Sequence, residues 1–274
     1  MKKTKVISFA NNKGGSGKST TCSNIGYGLS LLNNKVLLID GDMQLNLSLS
    51  FLSEEKVLEY AAGEKNLYHA IKQQKDLSEY IIPTGYDNLD LIPSSTLMSS
   101  IEYELFTKWQ RSYILQHCLE KVVSEGGYDY ILIDSPPTLG GWVTNILCAS
   151  DYLIIPVEAS PWGLFGLANI LEFLNDVKQI APQLSLMGIA VTKVDERKNY
   201  FKQTIDTLKA IENVHIFEAF IRVDSMIEWA QDNSMPVMAY KKSSRSAKEY
   251  MKLTEEVDHI ASRKRKYSKS NESK

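Results

Sequence analysis

No run of eighteen or more apolar residues occurs anywhere in this 274-residue chain, so a helical membrane span is excluded. The first residues, MKKTKVISFANNKGG, are basic, but the apolar run behind them is only five residues long. A secretory signal needs more than that. Cysteine is scarce: Cys22, Cys118 and Cys148 lie far apart, no C-x-x-C occurs, and the four histidines do not cluster with them. That spacing argues against a zinc or iron–sulfur site built within one chain, and buried thiols in a reducing cytosol are the plain expectation. Charge of one sign is also missing overall, since the net is −2. The balance is uneven along the chain, however. Residues 241–274 hold eleven Lys/Arg against five Asp/Glu, so this end could seek a polyanion that the whole molecule would not.

What the chain does contain is an alternation of short Val/Ile/Leu runs with helical segments. KVISFA (5–10), KVLLID (35–40), NLDLIPSS (88–95), YDYILIDSPP (128–137), DYLIIPV (151–157) and LSLMGIAVTK (184–193) read as strands, with NVHIFEAFI (213–221) as a further candidate. Helices are expected over 19–32 and over 101–125, the latter stopping at Gly126-Gly127. The pattern predicts an α/β fold, doubly wound, with a mostly parallel sheet covered by helices on both faces. One domain is expected over residues 1–260. The basic, polar tail 261–274 is expected to lack structure.

Ligands of such sheets bind at the carboxyl ends of the strands, and three strands end in telling residues. After the first comes NNKGGSGKST (11–20), a Gly-rich turn opening a helix. Its backbone N–H groups can converge on phosphate, Lys18 can reach the β/γ-phosphates, and Ser19 can offer its hydroxyl to Mg²⁺. The usual loop, G-x-x-x-x-G-K-[ST], would put glycine where Asn12 stands, and a second lysine, Lys13, is unaccounted for. A chance Gly-rich turn is disfavoured by the strand before it, the helix after it and the intact G-K-S. After the second strand come Asp40 and Asp42, suited to metal orientation and to positioning water. A strand-terminating turn, which also favours Asp and Gly, is the equal alternative from these residues alone. Asp134 closes the YILID strand, where a carboxylate would orient Mg²⁺.

These residues resemble a known family. Lys13–Ser19 fit K-G-G-x-G-K-[ST], the deviant Walker A signature of the ParA/MinD ATPases, within the P-loop NTPase class. LLIDGDMQLN resembles their D-x-D-P-Q-x-N segment, with Met43 in place of proline. DSPPTLG resembles D-x-P-P-x-L-G, and MPVMAYKKSSRSAKEY is similar to P-[VI]-x-x-Y…S-x-x-A-x-x-Y. The resemblance runs from about residue 5 to about 258, and looks nearest to short plasmid-partition ParA proteins of the Gram-positive delta type.

The resemblance implies ATP and Mg²⁺ as cofactors, and a homodimer that forms with ATP. Gly14, Gly15, Ser16, Gly17, Lys18, Ser19 and Thr20 would hold the phosphates, and Thr192 and Lys193 would meet the adenine. Ser19, Asp40 and Asp134 would serve Mg²⁺, and Asp42 would position water. Lys13 would reach across the dimer to the partner's phosphates. Non-specific double-stranded DNA is implied as a partner, through Arg222, Lys241, Lys242, Arg245, Lys248 and Lys252. A solvated basic helix is the bland alternative for that region. A centromere-binding ParB-like or ribbon-helix-helix protein would stimulate weak intrinsic hydrolysis. The chain would then be cytoplasmic and nucleoid-associated.

A MinD-like membrane regulator is the alternative. It is disfavoured because only Ala261 and Tyr267 are non-polar after Ile260. A nitrogenase iron-protein role would need paired cluster cysteines that the spacing does not offer. Trp109, Trp142, Trp162 and Trp229 read as packing or interface residues.

Overall fold

The computed structural model describes residues 4–271. Seven strands form one sheet: β1 (Lys5–Phe9), β2 (Val36–Asp40), β3 (Ile82–Tyr86), β4 (Leu89–Ile92), β5 (Tyr130–Asp134), β6 (Tyr152–Glu158) and β7 (Ser185–Thr192). Their order is β3-β4-β2-β5-β1-β6-β7, and every pair is parallel except β3 with β4. All residues of β2 and β5 are buried, as near-continuous apolar strands covered on both faces should be. Successive side chains divide between the faces. Leu38 and Leu132 join a core under the helices Lys18–Leu31 and Arg245–Asn271, while Leu37, Ile39 and Ile131 join one under Ile114–Glu125 and Gly141–Cys148.

From β1 the chain crosses to β2 on one side, and later returns to β6 on the other. Strand order therefore reverses beside β1, which opens a crevice at the carboxyl ends of β2, β5 and β1. The glycine-rich loop and the three aspartates were all expected there, and the topology brings them together.

The structure differs from the local expectations in several places. The segment 101–125 is two helices, Ile101–Phe106 and Ile114–Glu125, separated by turns in which Gln110 takes a φ of 50°. No strand forms over 213–221. Isolated bridges, Ile189 with Ile216 and Val194 with the adjoining Arg222, and a hydrogen bond from Ile221 N to Val191 O (3.0 Å) tie the stretch to the sheet edge. The edge strand β3 (IPTGY), antiparallel to the expected strand β4, is an addition: it carries Pro83 and Gly85, which argue against strand in isolation. The tail from residue 261 begins inside the C-terminal helix, whose bounds are Arg245–Asn271; residues 272–274 lie outside the described residues.

The first helix sits close to its neighbours through glycine. A Cβ on Gly26 would meet Leu38 at 2.6 Å, and one on Gly28 would meet the Thr254 hydroxyl of the C-terminal helix at 2.4 Å. Gly28→Ala is expected to destabilise the protein by about 1–2 kcal/mol, despite alanine's better helix propensity. Adding Thr254→Ala should recover most of that loss. Urea unfolding of the two single variants and the double variant measures the coupling directly.

Candidate functional site

The loop after β1 is shaped by two left-handed glycines. Gly15 has a φ of 71° and Gly17 a φ of 87°, immediately before the helix that starts at Lys18. Backbone of this kind gathers N–H groups into a concave nest at a helix N-terminus, a ready anion site. Two neighbouring strands hold the loop in place. Asn11 donates its amide to Pro156 O (2.7 Å) and accepts from Lys13 N (3.0 Å), and Thr192 donates to Ser16 O (2.8 Å). The Thr192 hydroxyl proton is thus committed to the loop, while its oxygen keeps its capacity to accept.

Facing the loop is a buried acidic group. The register pairs Asp40 with Asp134 across β2 and β5, and Phe9 with Asp134 across β5 and β1. Parallel strands in register set the two carboxylates side by side. Asp40 is fully satisfied: it accepts from Ser48 N (2.8 Å), Ser48 Oγ (2.6 Å) and Asp42 N (3.2 Å). Burial still raises its carboxyl to about 6. Asp134 is buried with no hydrogen bond to either oxygen. Burial first, and Asp40 beside it second, push its carboxyl well above the carboxylate range; the nearby Ser19 hydroxyl and Lys18 pull the other way. Asp42 accepts from Gln44 N (3.1 Å), and burial raises it as well. Lys18 is 6% exposed and donates to Lys13 O (3.3 Å). Burial lowers its ammonium, opposed by the charges of Asp134 and Asp42.

Lys13 faces another way. Its ammonium is ion-paired with Glu158 at the end of β6 and lies 3.3 Å from Ser160 Oγ. A cleft of about 650 Å³ opens over the loop, within the size range of small-ligand sites. Gly14, Gly15, Gly17, Lys18, Ser19, Thr20, Asp42, Thr192 and Lys193 line it. So do residues that the sequence reading did not select, among them Pro137, Asp224, Ile227, Glu228 and Gln231. Gln231 donates to the Thr20 hydroxyl (3.0 Å). All of these but Pro137, which follows β5 within the DSPPTLG segment, come from the helix Ser225–Asp232 and its approach, about two hundred residues from the loop, where no local pattern marks them. A larger groove of about 770 Å³ lies beside the cleft but contains no residue of the phosphate loop.

Residues 4–186 match the model of the AAA domain family. The chain is 34% identical over 254 residues to the sporulation initiation inhibitor protein Soj of Bacillus subtilis, covering 92% of this chain and 98% of that one. It is 30% identical to the chromosome partitioning protein ParA of Caulobacter vibrioides, covering 92% and 93%. Among solved structures, a putative plasmid partition protein of Borrelia burgdorferi bound to AMPPNP superposes with a TM-score of 0.74 at 28% identity, covering 96% of this chain and all of that one. The chain is a ParA/MinD-type ATPase of the AAA domain family.

In this ATPase the six basic residues expected to meet DNA do not behave alike. Arg222 donates to Glu249 (2.6 Å) and Glu196 (3.0 Å), and Arg245 donates to Val223 O (2.6 Å) with Glu249 3.7 Å away. Both arginines are engaged within the fold. Lys241, Lys242, Lys248 and Lys252 are exposed, and none of them makes an ion pair among the described residues. Of the tryptophans, Trp142 is core. Trp109 and Trp162 are 87% and 75% exposed, which suits interface rather than packing.

The carboxylate cluster has a stability consequence. A carboxyl whose pKa is raised on folding destabilises the fold fully above its folded pKa, and the penalty fades as pH falls toward the unfolded value. Asp134→Asn is therefore expected to stabilise the nucleotide-free protein at pH 8 by on the order of 1–2 kcal/mol. The gain should shrink at pH 5. Thermal unfolding of both proteins across that range checks it, and an equal gain at both pH values would contradict the assignment.

Proposed function

We propose that the chain is a partition ATPase whose ATP-loaded dimer binds DNA without regard to sequence and releases it after hydrolysis. The observation that carries this reading is the pair of lysines in one loop: Lys18 buried among carboxylates, and Lys13 turned outward onto Glu158. One ammonium serves the chain's own nucleotide, and the other is free to exchange Glu158 for a phosphate held by the partner subunit. A cation there stabilises charge that develops in phosphoryl transfer. It also makes dimerisation depend on ATP.

The donor set suits Mg²⁺. Asp134 has two buried oxygens without a partner, with the Ser19 hydroxyl nearby, and hard cations prefer such oxygen ligands. Asp40, with its three donors, holds the turn that carries Asp42, so its service to the metal is through position. Bound Mg-ATP supplies the transferable phosphoryl group and a cation beside it. The chain's own residues do the rest. The Gly15–Gly17 nest and Lys18 grip the phosphates, Thr20 supports them, and Asp42 orients the attacking water. Thr192, Lys193 and the 221–231 stretch, which line the same cleft, would meet the base.

For DNA, the exposed Lys241, Lys242, Lys248 and Lys252 are favoured, since phosphate contacts require only accessible positive charge. Arg222 and Arg245 contribute mainly by bracing that face. A centromere-binding protein, ParB-like or of the ribbon-helix-helix type, would accelerate slow intrinsic turnover, and the chain would associate with the nucleoid. The names of the Caulobacter and Borrelia relatives support partition as the setting. No helix among the described residues is long and apolar enough to cross a membrane, and the tail composition does not favour a MinD-like anchor.

Binding to a random-sequence duplex, measured with Mg-ATP, Mg-ADP or no nucleotide over a salt series, tests the reading. Tight binding is expected only with ATP, with a steep loss at higher salt. Lys248→Ala or Lys252→Ala should reduce the log–log salt slope by about one. Arg222→Ala should instead lower thermal stability, and Asp42→Asn should prolong the bound state. Failure to bind DNA in any state, with ATP binding demonstrated, would sink the proposal.

A further inference from the structure

The turn between the two catalytic-side aspartates is held by a residue that no phosphate-loop pattern includes. Trp142 is 2% exposed, and its indole N–H donates to Gly41 O (2.9 Å), between Asp40 and Asp42. Gly41 N in turn donates to Asp134 O (3.0 Å). A side chain at position 41 has no room, because a Cβ there would meet Asp134 O at 2.5 Å. The turn is therefore clamped from two sides, and Trp142 is one of the clamps.

Trp142 is itself fixed from outside. It lies in the first turn of the helix Gly141–Cys148, whose first two N–H groups both donate to one carboxylate. Gly141 N donates to Glu102 Oε2 and Trp142 N to Glu102 Oε1, each at 3.0 Å. The approach depends on glycine, since a Cβ at Gly140 or Gly141 would meet a Glu102 oxygen at 2.6 or 2.8 Å. An anion at a helix N-terminus is favoured by the unsatisfied N–H groups and the helix dipole. Glu102 comes from the helix Ile101–Phe106 on the far side of the sequence, forty residues away in chain order.

We propose that Glu102 and Trp142 are positioning residues for hydrolysis, forming a brace that runs from the surface helix Ile101–Phe106 to the Gly41 carbonyl and sets where Asp42 stands. The inference rests on the role proposed above for Asp42. A water-positioning carboxylate must be held within a fraction of an ångström of its productive place. The two backbone N–H groups fix the tryptophan's entry into the helix, and its indole N–H fixes the turn. Neither residue lines the nucleotide cleft, so loss of the brace should act on turnover and not on nucleotide affinity.

The test is single-turnover phosphate release from bound ATP, with affinity for a fluorescent ATP analogue measured alongside. Glu102→Ala is expected to slow release about three- to tenfold with affinity unchanged. Glu102→Gln, which keeps one accepting oxygen, should recover part of the rate. Trp142→Phe keeps a ring in the core but leaves Gly41 O unpaired, and should slow release about tenfold. The Glu102→Ala/Trp142→Phe double variant should be no slower than Trp142→Phe alone, because one residue acts through the other. Thermal unfolding of Glu102→Ala and Glu102→Gln establishes that both are folded. Wild-type rates in these variants, changes in affinity alone, or effects that multiply in the double variant would overturn the inference. Asp42→Asn separates the two levels. If it abolishes release while the brace variants do nothing, only the brace fails; if it releases phosphate normally, the role of Asp42 itself is wrong.

Discussion

Parallel pairing of β2 with β5 puts Asp40 and Asp134 at the same register, shoulder to shoulder and out of contact with water. Two carboxylates in that position repel one another and lose hydration, which is why burial heads the causes that raise both. The surrounding chain answers the strain unequally. Ser48 and Asp42 N satisfy Asp40, while Asp134 receives no hydrogen bond. One acid thus holds a turn, and the other is left able to meet a cation. Lys18 sets a positive charge beside them, itself buried and only partly compensated. A site in this condition gains most from a ligand that brings phosphate to the lysine and a metal ion to the acid.

The two lysines of the loop are directed apart in the fold. Lys13 and Lys18 are five residues apart, and between them Gly15 and Gly17 take left-handed conformations. One lysine is buried at the cleft and the other pairs with Glu158 at the end of β6. The ion pair with Glu158 keeps Lys13 satisfied in the single chain. It is partly exposed, and such pairs are weak enough to be exchanged for a phosphate. On the proposed reading, the same loop would both grip a nucleotide and meet a second subunit.

Charge on the C-terminal helix shows a similar division. Glu249 and Glu196 claim Arg222, which packs beside that helix from the approach to Ser225–Asp232, and Val223 O claims Arg245 on the helix itself. The lysines around them keep solvent-facing ammonium groups. Arginine's planar fork suits such fixed bridging roles, whereas the flexible lysine suits loose contact with a polyanion. The surface is consequently built from two kinds of cation, one structural and one available.

By itself the sequence determined what depends on near neighbours in the chain. The phosphate loop is legible because its glycines, lysines and serine act within one turn, and the strand-end aspartates are legible because each ends an apolar run. The alternation of runs and helices was enough for a parallel, doubly wound sheet and for the convergence of β1, β2 and β5. Local signals failed where a residue's own propensity contradicted its place. Pro83 and Gly85 hid the edge strand, and the break after Phe106 was masked by apolar spacing on either side.

Only tertiary structure decided the partners that lie far apart in sequence: Thr192 on Ser16, Lys13 on Glu158, Gln231 on Thr20, and Trp142 between Glu102 and Gly41. None of these has a spacing that a motif could encode. They arise when distant segments are carried to the same edge of the sheet, where buried polar groups must find partners or remain unpaired.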